Sequence, residues 1–373
     1  MFGSRNFLFA RSSVAAVANK LFSWGNNSNG GLGLGNTTNY SSPKQVGALI
    51  DWAYPSIGGL TNHSTLCNKT DGTLWAWGNN NTGQLGQGNI TYRSSPVQVG
   101  ALTTWGKPVM TGSYAALCIK TDGTLWSWGS GYTGTTAQGN QSNLNSPVQV
   151  GALTNWSKLS QAANTNMLAV KTDGTLWSWG QNSQGALGVG DTTNRSSPVQ
   201  IGALTDWANP AAGSYFALCV KTNGTLWTWG RNTNGQLGLG DTTNRYSPVQ
   251  VGALTNWSKP TGGSQFAGCV KTDGTLWTWG RNQSGQLGHG NTTDYSSPKQ
   301  VGALTNWSYA RAGWTPMAAV KTDGTLWTWG LNTTYGQLGL GDTTNRSSPV
   351  QVGSLTNWKN PTVARTAMLC STE

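Results

Sequence analysis

Lys271-Thr272-Asp273-Gly274-Thr275-Leu276-Trp277-Thr278-Trp279-Gly280 recurs with minor changes from Lys69, Lys120, Lys171, Lys221 and Lys321. A truncated copy, Lys20-Leu21-Phe22-Ser23-Trp24-Gly25, precedes them all. The stretch reads as a β-hairpin: a small-apolar strand, Phe266 to Val270, a Thr-Asp-Gly turn, then a strand rich in Thr and Trp. Asp-Gly between alternating apolar residues signals a tight hairpin, because Gly supplies the positive φ of the turn. Trp277 and Trp279 are two apart and project from one side of their strand, with Leu276 and Thr278 on the other. Both sides therefore carry material to bury.

Outward from the hairpin the same order follows in every copy: a Gly-rich loop, a Pro-bounded segment ending near Gln-Val-Gly-Ala-Leu, and a further Trp. A complete unit thus has four candidate strands joined by Gly-rich and Pro-bounded loops. The Trp of Trp-Gly falls at 24, 77, 128, 179, 229, 279 and 329, giving spacings of 53, 51, 51, 50, 50 and 50. The first unit lacks its first two strands, and the segment from Pro361 to Glu373 supplies their equivalent and stops. The two ends complement each other, which predicts an all-β, seven-bladed β-propeller of four-stranded blades, the last closed jointly by N- and C-terminal strands. An open solenoid is the alternative, and it gives no reason for complementary ends. Burying one large aromatic stabilises by roughly 1.5–3 kcal/mol, so about three Trp per blade make a substantial core.

Composition agrees with packed repeats. Only 9% of the 373 residues are charged, yet 20 of the 21 Trp occur in register, which argues against disorder. The fixed period overrides the expectation of two or three domains, and the chain divides into an arm, 1–19, and a propeller, 20–373. A net charge of +11 allows attraction to an anionic partner. The repeated lysines, each two residues before an Asp (Asn223 in one copy), read as solvated turn residues.

Five cysteines, Cys67, Cys118, Cys219, Cys269 and Cys370, follow the repeat, and Ala169 and Ala319 take the equivalent place in other copies. The site therefore wants a small buried residue, and equivalent positions do not face one another as a disulfide requires. Metal-ligand spacing is absent, and no run is long enough to span a membrane. Ala16-Val17-Ala18 resembles a signal-peptidase site, but Arg11 interrupts the apolar stretch before it.

Leu226-Trp227-Thr228-Trp229-Gly230-Arg231-Asn232, followed by Gly235-Gln236-Leu237-Gly238-Leu239-Gly240, resembles the hallmark of the regulator of chromosome condensation repeats. The match recurs at Gly83–Gly86, Gly285–Gly288 and Gly336–Gly339, and departs at Gly134-Thr-Thr-Ala-Gln-Gly139. The resemblance implies the propeller and leaves activity open, since family members include a chromatin-bound nucleotide exchange factor and a plant ultraviolet photoreceptor. No loop stands out here as the exchange factor's wedge. Of the 21 Trp, 20 occupy three repeat positions and only Trp314 falls outside, so a core role is preferred to light sensing.

Catalysis requires titratable groups brought together. The chain has two histidines, His63 and His289, in different loop contexts, and a single Glu, Glu373. No catalytic residue, cofactor or metal is expected. Asp191, Asp241 and Asp342 precede Thr-Thr-Asn-Arg, but Asn36, Asn89, Asn140 and Asn291 stand in the other units, so a side-chain-capped turn explains both.

What remains is a surface of repeated loops bearing Tyr40, Arg93, Arg195, Arg245, Tyr246, Tyr295 and Arg346, suited to protein or glycan contacts. The near-identity of the units suggests recent duplication. The charge-poor, Asn/Thr/Gly/Ser-rich composition is similar to that of surface adhesins and phage appendage proteins carrying these repeats, a resemblance that implies a non-enzymatic virion component, a bacteriophage decoration or appendage. It would be anchored to other structural proteins by Phe2, Arg5, Phe7, Leu8, Phe9 and Arg11 and would contact host surface. The alternatives are a secreted, lectin-like bacterial propeller and, behind it, a guanine-nucleotide-exchange regulator. No specific nucleic acid partner is expected.

Overall fold

In the computed structural model, residues 19–60, 62–112, 114–160 and 165–373 are described. The anchor residues Phe2 to Arg11 lie outside them. The described chain forms seven four-stranded antiparallel sheets. The fifth blade is representative, with strands Trp257–Gly262, Phe266–Lys271, Leu276–Gly280 and Tyr295–Gln300 in spatial order. In the closing blade, Trp358–Val363 and Ala367–Thr372 come from the C-terminal end and Leu21–Gly25 and Tyr40–Gln45 from the N-terminal end. Leu21 pairs with Ser371 and Gly25 with Ala367, so the expected closure is present.

Six blade interiors are built on three indoles each, and in the closing blade Phe22 joins Trp24 and Trp358. Trp257 of the first strand meets Trp277 and Trp279 of the third with ring centroids 6.1 and 6.0 Å apart, near perpendicular. Edge-to-face contact sets the positive rim of one ring against the negative face of another. Both sides of the third strand are covered: Leu276, Thr278 and Trp279 are buried and Trp277 is half-buried.

Blades are joined through the Gly-Gln-Leu-Gly loop. Trp279 Nε1 donates to the carbonyl of Gln236 in the preceding blade at 2.9 Å, and Trp24 closes the ring by donating to Gln337. Gly238 has φ +72°, and a Cβ there would stand 2.8 Å from Trp279 Nε1. Glycine is needed both for the left-handed turn and for the approach of the indole. Asn232 holds the same loop, its amide donating to Asp241 and its oxygen accepting from Leu237 N. The divergent second blade keeps the geometry with Ala137 at φ +60° in the glycine's place, and Trp179 donates to Thr135.

The repeated lysine is not the solvated turn residue the sequence suggested. Lys271 is 6% exposed and its ammonium lies over both Trp257 and Trp277, 4.5 and 4.0 Å from the ring centroids. The same sandwich forms at Lys69, Lys120, Lys171, Lys221 and Lys321. Lysine is placed there because two ring faces attract the cation while its methylene stem covers apolar surface. The closing blade lacks both halves, with Phe22 in place of the indole and Thr372 paired opposite Trp358 where the other blades have lysine.

The cysteines are fully buried and unpaired, in second strands of separate blades, and Ala169 and Ala319 are equally buried. Burial pushes the thiols of Cys118, Cys219 and Cys269 up to about 12, away from reactive thiolate. No helix among the described residues is long and apolar enough to cross a membrane.

Candidate functional site

Antiparallel pairing sorts the loops onto two faces. Lys271-Thr-Asp-Gly turns and the Gly-Ala-Leu links share one face, where Trp307 N donates to Gly274 O and Thr272 N to Asn256 O. The long loops after the third strands and the short turns between first and second strands share the other. First strands line the central channel that joins the two faces.

The predicted contact residues fall on the long-loop face, at the start of the outermost strands: Tyr40, Arg93, Arg195, Arg245, Tyr246, Tyr295 and Arg346. Three of the arginines are committed within their own loops. Arg195, Arg245 and Arg346 pair with Asp191, Asp241 and Asp342 at 2.5, 2.6 and 2.5 Å. These aspartates also accept from the backbone two residues on, as Asn36 does from Thr38, so the loops are side-chain-capped turns. The backbone bond and the arginine hold the Asp191 carboxyl below its ordinary range. Tyr295 bonds Asn291 and Lys299, while Tyr246 stays 46% exposed.

The centre of this face was not legible as a site. Between first and second strands the units differ in both length and chemistry: Gly59 to His63, Thr111 to Tyr114, Ser214-Tyr215, Gly263 to Gln265, Gly313 to Thr315, and Ala364 to Thr366. Trp314, the indole outside the repeat positions, lines this mouth of the channel with Leu60 and Arg365. Arg365 lies over its ring at 5.8 Å. Tyr114 and Tyr215 hold φ +68° and +67°, a conformation bulky residues rarely adopt. The available signal was the irregularity itself, since these turns break a nearly uniform repeat.

The two histidines do not meet. His63 is 2% exposed, with Nδ1 3.3 Å from Gly58 O and Nε2 2.8 Å from Thr366 Oγ1. Burial lowers its pKa to about 4, leaving a neutral, satisfied imidazole. His289 is half-buried against Thr278 Oγ1 at 3.0 Å, and burial followed by repulsion from Lys299 lowers it also to about 4. Among the described residues no three His, Cys, Asp or Glu side chains gather as a metal site would require.

The opposite channel mouth is cationic. Tyr54, Lys107, Lys158, Asn209, Lys259, Tyr309 and Asn360 each stand two residues past the first-strand Trp, and Arg311 lies two residues deeper. Leu49, Leu102, Leu153, Leu204, Leu254, Leu304 and Leu355 are half-exposed singly on the links of this face.

The described residues thus close into a seven-bladed propeller with two differently built faces. The chain belongs to the regulator of chromosome condensation (RCC1) repeat family, whose repeat matches residues 19–59, 71–116, 173–220, 223–270, 273–320 and 323–364. It is 30% identical over 195 residues to the ultraviolet-B receptor UVR8 of Arabidopsis thaliana, covering 52% of this chain and 44% of the receptor. It is 29% identical over 198 residues to the E3 ubiquitin-protein ligase HERC2 of Homo sapiens, covering 52% of this chain and 4% of the ligase. The matches thus span under half the length of these curated relatives. In structure it is similar to human WBSCR16, with a TM-score of 0.83 and 20% identity over 95% of this chain and 99% of that one. Prp20p from Saccharomyces cerevisiae is similar at a TM-score of 0.82 and 19% identity, over 96% and 92% of the two chains. These structural likenesses establish the shared fold.

Proposed function

We propose that this chain is a non-catalytic propeller that binds a partner protein on the long-loop face, centred on Trp314, Arg365, Tyr114 and Tyr215. One observation carries this reading: the turns that depart most from the repeat share the long-loop face and bear Trp, Tyr and Arg, with Trp314 and Arg365 at the channel mouth. Those residue types dominate binding energy in protein interfaces, because they bring large area with few rotors and a polar handle. Tyr246 and Arg93, which makes no ion pair among the described residues, supply a polar rim. Protein binding also agrees with Prp20p, described with its binding to Gsp1p and histones and in complex with Kap60. The non-catalytic assignment is supported by the separated, neutral histidines and the single Glu.

A photo-crosslinking residue placed at 314 should capture a partner in the native setting, whereas one placed at Asp71, on the opposite face, should not. The captured protein, purified, should lose about tenfold or more in affinity for Trp314→Ala. Capture only from position 71 would overturn the reading.

Display on a virus particle through residues 1–19 is a finer reading that rests on the uniform units and charge-poor composition. It predicts that deleting residues 1–18 leaves a folded propeller that no longer joins particles, and retained incorporation would count against it. The secreted, lectin-like alternative predicts a mature chain without the arm, and the exchange-regulator alternative predicts faster nucleotide release from a small GTPase.

A further inference from the structure

The cationic mouth, at the other end of the channel from the proposed partner site, holds charges that the fold itself does not use. Lys107, Lys158, Lys259 and Arg311 line one cavity of about 670 Å³ with Tyr309. None of these four cations makes an ion pair among the described residues. Lys158 donates to Asn209 Oδ1 at 3.1 Å and Lys259 to Ser308 O at 2.6 Å, so their partners are neutral oxygens. Lys107 lies over the Tyr54 ring at 5.5 Å. The one carboxylate in the wall, Asp122, is occupied by its own turn, accepting from the Thr124 amide and hydroxyl at 2.9 and 2.6 Å.

Arg311 is the residue that a structural account leaves over. At its register Ser56, Thr261 and Thr362 accept from the amides of Met110, Ala312 and Ile57, stitching neighbouring first strands together. Arg311 makes no such stitch. Its guanidinium stacks on Tyr309 at 4.5 Å, its side chain keeps a partly open surface toward the channel, and its Nε is buried with no acceptor. Lys107 is open to channel water yet walled by protein, and that burial, together with repulsion from Arg311, draws its pKa down to about 7. Unpaired like charges around a concavity are costly unless something neutralises them.

We propose that this mouth binds a small, multiply charged phosphate-bearing anion, seated on Arg311 and ringed by Lys107, Lys158 and Lys259. Arginine matches phosphate oxygens with its planar fork, lysines add mobile point charges, and the cavity is of ligand size. The site is separable from the partner-binding reading: Lys107, Lys158 and Lys259 lie at the opposite mouth, and Arg311, which borders the cavities at both mouths, is not among the residues on which that reading is centred.

The test is calorimetric titration of the full chain with inorganic triphosphate at constant ionic strength. Arg311→Met should weaken binding by about tenfold or more and Lys107→Met by several-fold, while Lys299→Met, on an outer strand, should leave it unchanged. Arg311→Gln gives a second variant if Met disturbs the fold, and Trp314→Ala should bind triphosphate as the parent does. The proposal is overturned if triphosphate does not bind, if Lys299→Met costs as much as Arg311→Met, or if a hexaglutamate peptide binds as tightly with the same dependence on Arg311.

Discussion

Lowering the pH should destabilise this propeller through His63 well before its carboxylates protonate. The imidazole sits at the seam between the first blade and the closing blade, between Gly58 O and Thr366 Oγ1. A carbonyl oxygen only accepts, so Nδ1–H donates to Gly58 and Nε2 accepts from the Thr366 hydroxyl. Protonating Nε2 places a donor where an acceptor is needed and a charge where water is excluded. The folded pKa is about 4 against 6.5 for the free side chain, with burial the main cause. The folded chain therefore binds fewer protons than the unfolded chain between these values. Stability is full above the unfolded pKa and falls as the pH drops through the window. A shift of this size, at roughly 1.4 kcal/mol per pH unit, removes about 3 kcal/mol by pH 4. His289 titrates in the same window from a half-buried position and contributes less. Asp71, Asp122 and Asp273, lowered by hydrogen bonds from the Thr two residues on, lose their contribution below the ordinary carboxylate range, mostly beneath this window. Urea unfolding followed by Trp fluorescence from pH 7.5 to pH 4, on the parent and His63→Gln, reads the slope directly. The variant should lose most of the pH dependence whatever its absolute stability. Parallel curves for the two proteins would refute the reasoning.

Two further substitutions test the packing. Ala137→Gly should stabilise by about 1 kcal/mol, since an L side chain in the left-handed region costs about 1–2 kcal/mol and glycine returns part of that as chain entropy; an unchanged or lower urea midpoint would contradict the strain. Lys271→Met keeps the apolar stem and removes the cation between Trp257 and Trp277, and should cost about 1–2 kcal/mol in the same assay. A neutral effect would mean that the two rings hold only the methylenes.

Fold and blade count were legible in the sequence because their causes are local. Asp273-Gly274 fixes a turn, the two-residue spacing of Trp277 and Trp279 fixes a strand face, and both recur at a constant period. Complementary ends then left one way to complete the seventh four-stranded blade, which Leu21 opposite Ser371 fulfils. The lysine of the repeat was misread because its second indole, Trp257, arrives from a strand 14 positions earlier, and hairpin spacing alone does not place that ring over the ammonium. The loop arginines were read as contacts in isolation, yet three of them find an Asp four residues back once the turn closes.

The candidate sites belong to the tertiary structure. Lys107, Lys158, Lys259 and Arg311 are up to 204 positions apart and sit on strands that read as ordinary repeats. Ring closure turns equivalent positions inward onto one axis, so a residue that is one of a series along the chain becomes one member of a circle across a channel. The same closure brings Trp314 and Arg365 together at the other mouth. The sequence determined a blade, its repetition and its closure, because these follow from short-range spacing. The radial convergence of side chains from separate blades depends on the angle at which blades pack, and only the assembled ring supplies it.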